Sequence, residues 1–224
     1  MSGIAERLRR VAGTLPAGVA LVAVSKFHPS EAIAEAYDAG QRRFGESRVQ
    51  ELTAKASVLP ADIEWHFIGH LQTNKVRQLL GVPNLALIES VDSERLLECI
   101  DSEASRTGRT ARVLLQVHVA AEDTKFGFLP AEFIDYFKGR RFEHLKATHI
   151  CGIMGMATNT DDEARVAADF AAISSLRRQA LEAAPDLRGF DTVSMGMSHD
   201  YPLAIAQGAT LVRVGTAIFG DRGY

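Results

Sequence analysis

Lys26 follows the run GVALVAVS at 18–25, where an apolar strand gives way to a loop. A primary amine buried at such a place is pushed toward its neutral form, which condenses with a carbonyl to a Schiff base. Taken alone, the position better suits a solvated lysine at a strand boundary. A second segment, SMGMS at 194–198, combines a glycine that permits close backbone approach with a serine hydroxyl; it reads either as an anion cradle or as a tight strand-to-helix turn. A third, RVGTAIFG at 213–220, offers the backbone donors of Gly215 and Thr216 to a phosphate, with the Arg213 guanidinium directed at a ligand.

These residues need elements that bring them to one place. Short apolar runs rich in β-branched residues alternate with longer amphipathic stretches, the rhythm of repeated βα units. The pattern predicts strands at Gly18–Ser25, Arg43–Gly45, Ile63–Ile68, Ala86–Glu89, Arg112–Val117, Ala147–Met154, Thr192–Met195 and Leu211–Val214. Helices are predicted at Ile4–Ala12, Pro29–Ala39, Val49–Val58, Thr73–Leu80, Ser93–Thr107, Pro130–Lys138, Asp161–Ala184 and Tyr201–Gln207.

Eight strands with seven intervening helices imply a single (β/α)8 barrel of the TIM type spanning 1–224, with a doubly wound open sheet as the alternative. Ten residues follow the last strand, too few for a full eighth helix, so the N-terminal helix is expected to cover the wall there. Functional groups of such a barrel collect at the carboxyl ends of its strands. All three segments fall at such ends.

The chain carries 25 basic and 28 acidic residues for a formal charge of −3, which provides no global field for nucleic acid or acidic lipid. Basic runs at Arg7–Arg10 and Arg140–Arg141 read as solvated helix ends. Cys99 and Cys151 are too few for a disulfide framework. The first residues lack the apolar core of a signal peptide, and no window approaches the roughly 18 apolar residues of a membrane span. A cytoplasmic protein is expected.

In combination, the motifs resemble the pyridoxal-phosphate homeostasis protein family, whose barrel is similar to the N-terminal domain of alanine racemases. The resemblance runs through VSK at 24–26, FGES at 44–47, VQE at 49–51, WHFIGHLQTNK at 65–75, GIMGMAT at 152–158, SMGMS at 194–198 and VRVGTAIFG at 212–220. It implies pyridoxal 5'-phosphate (PLP) held as a Schiff base on Lys26. It further implies that Ser198, Gly215 and Thr216 bind the cofactor phosphate and that Arg213 faces the pyridine nitrogen. An arginine there leaves that nitrogen unprotonated and weakens the ring as an electron sink.

Where the family has F-G-E-N-Y-V-Q-E, this chain has FGESRVQE, so the cofactor contact of the asparagine falls to the shorter hydroxyl of Ser47, acting through water. Arg48, in place of the tyrosine, meets either a ligand carboxylate or solvent. His66 lies on the third strand as a barrel-facing candidate for the cofactor site; a metal shared with His70 is the less favoured reading. Met154, Met156, Met195 and Met197 cluster at strand ends, where core filling competes with packing against the cofactor ring, and Met197 is the candidate for the latter. Lys125, in EDTKFG, matches a lysine-glycine element of the family without a defined role.

Alanine racemases take their second base, a tyrosine, from a C-terminal β-domain of the partner subunit, and no such domain is expected here. The resemblance therefore implies a monomeric protein that stores PLP and delivers it to apo PLP-dependent enzymes. The alternatives are a low-activity racemase using Lys26 with His66 or Tyr201, and a cofactor-free Schiff-base aldolase acting on a phosphorylated sugar.

Overall fold

The computed structural model describes residues 3–122 and 126–220. Lys125 lies outside the described residues. Strands β1 (Ala20–Val24), β2 (Arg43–Glu46), β3 (Glu64–Phe67), β4 (Leu85–Val91), β5 (Ala111–Gln116), β6 (Thr148–Met154), β7 (Thr192–Ser194) and β8 (Leu211–Val214) form a closed barrel in chain order. All ladders are parallel, and β1 pairs with β8 from Ala20↔Leu211 to Ala23↔Val214. That last pairing excludes the open sheet.

The strands are apolar on both faces because each is covered twice, by the barrel interior and by helices outside. Inside, Val22, Leu87, Leu114, Cys151, Met154 and Leu211 pack as one cluster. Outside, a larger layer including Phe44, Trp65, Phe67, Phe133, Phe137 and Phe190 joins the strands to the helices.

The helices are α1 (Ile4–Ala12), α2 (Ser30–Asp38), α3 (Val49–Ala56), α4 (Val76–Leu80), α5 (Glu94–Thr107), α6 (Pro130–Lys138), α7 (Glu163–Ala183), α8 (Tyr201–Ala206) and α9 (Thr216–Phe219). Local signals set several ends. Ser93 caps α5 through the Leu96 N–H, and Gly108 closes it in the left-handed region at φ 64. Asp162 caps α7 by accepting from the Ala164 and Arg165 N–H groups.

Two short elements fall outside the sequence pattern. A 3-10 turn at Arg141–His144 precedes β6, and α9 follows β8, while the predicted helix at Thr73–Leu80 begins as a 3-10 turn over Thr73–Lys75. The expectation for the N-terminal helix holds. It packs on α9, where Arg7 Nε donates to the Ile218 carbonyl at 2.6 Å.

Candidate functional site

Alternation along β1 turns Ala20 and Val22 into the barrel, and the same parity places Lys26 on the inner side of the mouth, one residue beyond Ser25. Lys26 is half-buried. The neighbouring strand β8 is followed by Gly215, which packs so closely on β1 that an added Cβ would lie 3.3 Å from the Val24 carbonyl oxygen. Strand pairing therefore brings Lys26 and the Gly215–Thr216 turn to one part of the mouth.

Ser198 reaches the same turn from the loop after β7. Its Oγ accepts from the Gly215 N–H at 3.2 Å and the Ala217 N–H at 3.3 Å. Two backbone donors thus converge on an oxygen, as a bound phosphate requires. The turn that carries Ser198 depends on Gly196, at φ +91, where a Cβ would press to 2.8 Å from Tyr201 Cα. The donor pair, the hydroxyl and a half-buried lysine beside them suit a phosphorylated aldehyde. Ala217 was not singled out in the sequence, because its contribution is a backbone N–H and any side chain could supply it.

Arg213 points inward from β8 and is 4% exposed. Its Nη1 bonds the Ser194 hydroxyl, its Nη2 donates to the Gly155 carbonyl at 3.1 Å, and Glu89 Oε2 lies 3.8 Å from Nη1. Burial pulls the guanidinium below its ordinary value, Glu89 and Asp200 oppose this, and the side chain stays charged.

Glu89 was absent from the sequence candidates. It receives the Ser194 hydroxyl at 2.5 Å on Oε2 and meets His66 Nδ1 at 2.6 Å on Oε1. Burial alone would raise its carboxyl; the hydrogen bond and electrostatic pull of His66, the charge of Arg213 and the Ser194 hydroxyl hold it below the usual range. An ionised carboxylate only accepts, so His66 Nδ1 carries the hydrogen. His66 is thereby committed to Glu89 inside the barrel. His70 diverges from it, with Nδ1 2.8 Å from Asp92 Oδ2 and its ring stacked on Phe126. Among the described residues, no group of three or more His, Cys, Asp or Glu is arranged to hold a metal.

The other sequence candidates separate. Ser47 is half-buried beneath the loop after β3, which passes so close that a Cβ at Gly69 would lie 2.1 Å from the Ser47 carbonyl oxygen. Arg48 lies over the Phe27 ring at 5.0 Å. Met154 and Met195 are core residues. Met156 and Met197 line a cleft of about 540 Å³ between the loops after β6 and β7, with Met197 41% exposed at its rim.

Behind the Lys26 turn lies a second buried group that the sequence left among helix and strand-end residues. Lys55 Nζ, on α3, donates to Glu46 Oε1 at 2.8 Å, Glu51 Oε1 at 2.7 Å and the Ser25 carbonyl at 3.0 Å. Glu46 also accepts the Ser25 hydroxyl at 2.6 Å, while its Oε2 is buried without a hydrogen-bond partner. Burial raises the Glu46 carboxyl, and Lys55 and Ser25 offset this only in part.

This barrel, with a lysine and an oxygen-binding turn at its mouth, defines a protein of the alanine racemase N-terminal domain class; the family model of that description matches residues 1–223. Within the class, the chain belongs to the pyridoxal phosphate homeostasis protein family. It is 41% identical over 216 residues to the Mus musculus member, covering 91% of this chain and 77% of the relative. The Schizosaccharomyces pombe member is 38% identical over 206 residues, covering 91% and 84%. Among solved structures, PipY of Synechococcus elongatus PCC7942 without PLP superposes with a TM-score of 0.91 at 42% identity, covering 97% of this chain and all of that one. The PipY structure with PLP bound gives a TM-score of 0.88.

Proposed function

We propose that this chain binds PLP covalently through Lys26, with the phosphate on Ser198, Gly215, Thr216 and Ala217, and that it stores the cofactor and delivers it to apo-enzymes. The observation that carries this reading is the convergence, from adjacent strands, of the Lys26 turn with two N–H groups already aimed at an oxygen. The PLP-bound form of PipY, at 42% identity, supports it.

When bound, the cofactor supplies an aldehyde that an uncharged primary amine captures reversibly with loss of water. Lys26 Nζ must shed its proton before it can act as that amine. The Gly215 and Ala217 N–H groups and the Ser198 hydroxyl orient the phosphate end. Arg213, directed at the ring nitrogen as the family resemblance implies, keeps that nitrogen from taking a proton and so holds down carbanion chemistry. Storage needs no more than this.

Racemisation would need a second proton-transfer group across the ring. The Tyr201 hydroxyl lies 2.9 Å from Thr14 Oγ1, a contact that favours storage over turnover. His66, held by Glu89 through Nδ1, keeps Nε2 for proton transfer and is the group to test for it. No described helix is long and apolar enough to cross a membrane. We take the protein to be cytoplasmic and monomeric, a single PLP-binding barrel over 1–224; light scattering on the purified chain tests the oligomeric state.

Adding PLP should produce the absorbance band of a lysine adduct, and borohydride reduction followed by peptide mass spectrometry should place a pyridoxyl group on Lys26. A band that persists in Lys26→Ala would sink the assignment. Deuterium exchange at Cα of alanine above the rate of free PLP would return the racemase reading.

A further inference from the structure

Each of the two peptide groups that flank Lys26 is held by a member of the buried Lys55–Glu46–Glu51 group. The carbonyl of Ser25, which belongs to the peptide before Lys26, accepts from Lys55 Nζ at 3.0 Å. The N–H of Phe27, which belongs to the peptide after it, donates to Glu51 Oε1 at 2.8 Å. Lys55 joins the two ends by donating also to Glu51 Oε1, and Glu46 ties Lys55 to the Ser25 hydroxyl by accepting from both. Because each peptide is planar, fixing the one before and the one after a residue fixes the direction of its Cα–Cβ bond.

The turn needs such a restraint. Phe27 has φ 68, in the left-handed region, where an aromatic residue is strained and persists only when its surroundings impose the conformation. It is the third residue of a turn closed by the His28 N–H to the Ser25 carbonyl at 3.1 Å. Arg48 lies over the Phe27 ring, and His28 stacks on Phe219 with centroids 5.0 Å apart, so the side chains on this segment are braced as well. Lys55 is only 6% exposed, and a buried ammonium is costly unless its hydrogens are matched. All three partners of Lys55 Nζ named above belong to this one device.

We infer that Glu51, Lys55 and Glu46 are positioning residues for Lys26: a charged clamp that locks a strained turn so that the lysine side chain enters the mouth in one direction. The inference rests on Lys26 being the cofactor anchor. It assigns these three residues no contact with the cofactor. A clamp of this kind favours covalent capture and leaves recognition of the phosphate alone, whereas an ion cluster that merely stabilises the fold would affect both together or neither.

Glu51 is the member to change, because its side chain is 22% exposed and water can reach the groups it leaves. Two probes separate the steps on the full chain. PLP reports capture by Lys26, through the borohydride-trapped fraction; pyridoxine 5'-phosphate, which lacks the aldehyde, reports the phosphate and ring contacts by calorimetry. Glu51→Ala should weaken PLP capture by about tenfold or more, the scale of one lost hydrogen bond to a charged acceptor, with pyridoxine 5'-phosphate affinity unchanged. Glu51→Gln, which retains a carbonyl oxygen for the Phe27 N–H, should recover most of the loss. Glu51→Asp, which shortens the reach by one methylene, should show the same selective weakening should the alanine variant not fold.

Capture at the wild-type level in both Glu51→Ala and Glu51→Asp, or equal loss of both ligands, overturns the clamp. Failure of the underlying assignment looks different: the wild-type chain itself traps no PLP on Lys26, whatever occupies position 51.

Discussion

Glu89 and Glu46 are both fully buried and burial pushes both carboxyls up, yet their net shifts run in opposite directions. Glu89 stands inside the barrel with one oxygen on His66, the other on Ser194, and the Arg213 guanidinium beside it. Its partners outweigh the cost of leaving water, and its carboxyl lies below the usual range. Glu46 stands outside the barrel behind the Lys26 turn, shares Lys55 with Glu51, and leaves Oε2 without a partner. There the cost of burial prevails, and its carboxyl is raised. Hydrogen-bond completeness, more than depth, decides whether a buried charge is at ease.

Glu89→Ala should have the largest effect of the substitutions in these two groups. This variant leaves Arg213 buried without its carboxylate, and denaturant unfolding should show a loss of about 3–5 kcal/mol. A loss under about 1 kcal/mol would mean that the inner network is not held by this charge. Ser194→Ala removes a hydroxyl that donates to Glu89 and accepts from Arg213. Its expected cost is smaller, about 1.5–3 kcal/mol, as for hydrogen bonds to charged groups.

The two carboxylates also make opposite statements about pH. A depressed folded value, as at Glu89, gives stability that is present above the unfolded carboxylate value and lost as pH falls through the folded one. A raised value, as at Glu46, gives stability that is present below the unfolded carboxylate value and lost as pH rises through the folded one. Thermal melts across the acid range should therefore lose part of their acid-side fall in Glu89→Gln, while Glu46→Gln should lose part of the decline on the rising side. Identical profiles for the two variants would erase the distinction.

The smallest effect is expected from Glu46→Gln at neutral pH, within about 1 kcal/mol of wild type, since the amide oxygen can still accept from Ser25 and Lys55 keeps Glu51. A cost matching that of Glu89→Ala would show that the partners of Glu46 compensate its burial as fully as those of Glu89.

Much of the barrel could be read locally. Runs such as ALVAV and LVRV are strands because β-branched and apolar side chains suit a sheet covered on both faces, and β8 lies at its expected bounds. Lys26, Ser198 and Gly215 could be singled out as candidates because each follows a strand and stands in a recognisable motif. The 3-10 turn at Arg141–His144 and the short α9 were not, since they carry too few residues to show a period.

The residues that brace the site were harder to see for the same local reason. Glu51 and Lys55 are four apart on α3 and read as an ordinary exposed helix pair; only the packing of α3 on the Lys26 turn buries the lysine. Glu89 carried one faint signal, an acidic residue within the strand LALIESV, among neighbours that are largely apolar. His66 was placed on the correct strand, with its partner Glu89 out of view.

By itself, the sequence determined the alternation of strands and helices, the end of β1 at which Lys26 stands, and the glycine-bearing turns beside it, because these follow from side-chain shape and spacing within a few residues. Which charges meet was decided only by closure of the barrel. Glu89 and Ser194 are 105 positions apart, and Ser198 reaches the Gly215 N–H only because β7 and β8 lie side by side. No local period encodes such pairs; the physical reason is that the register between distant strands sets them, and register exists only in the folded barrel.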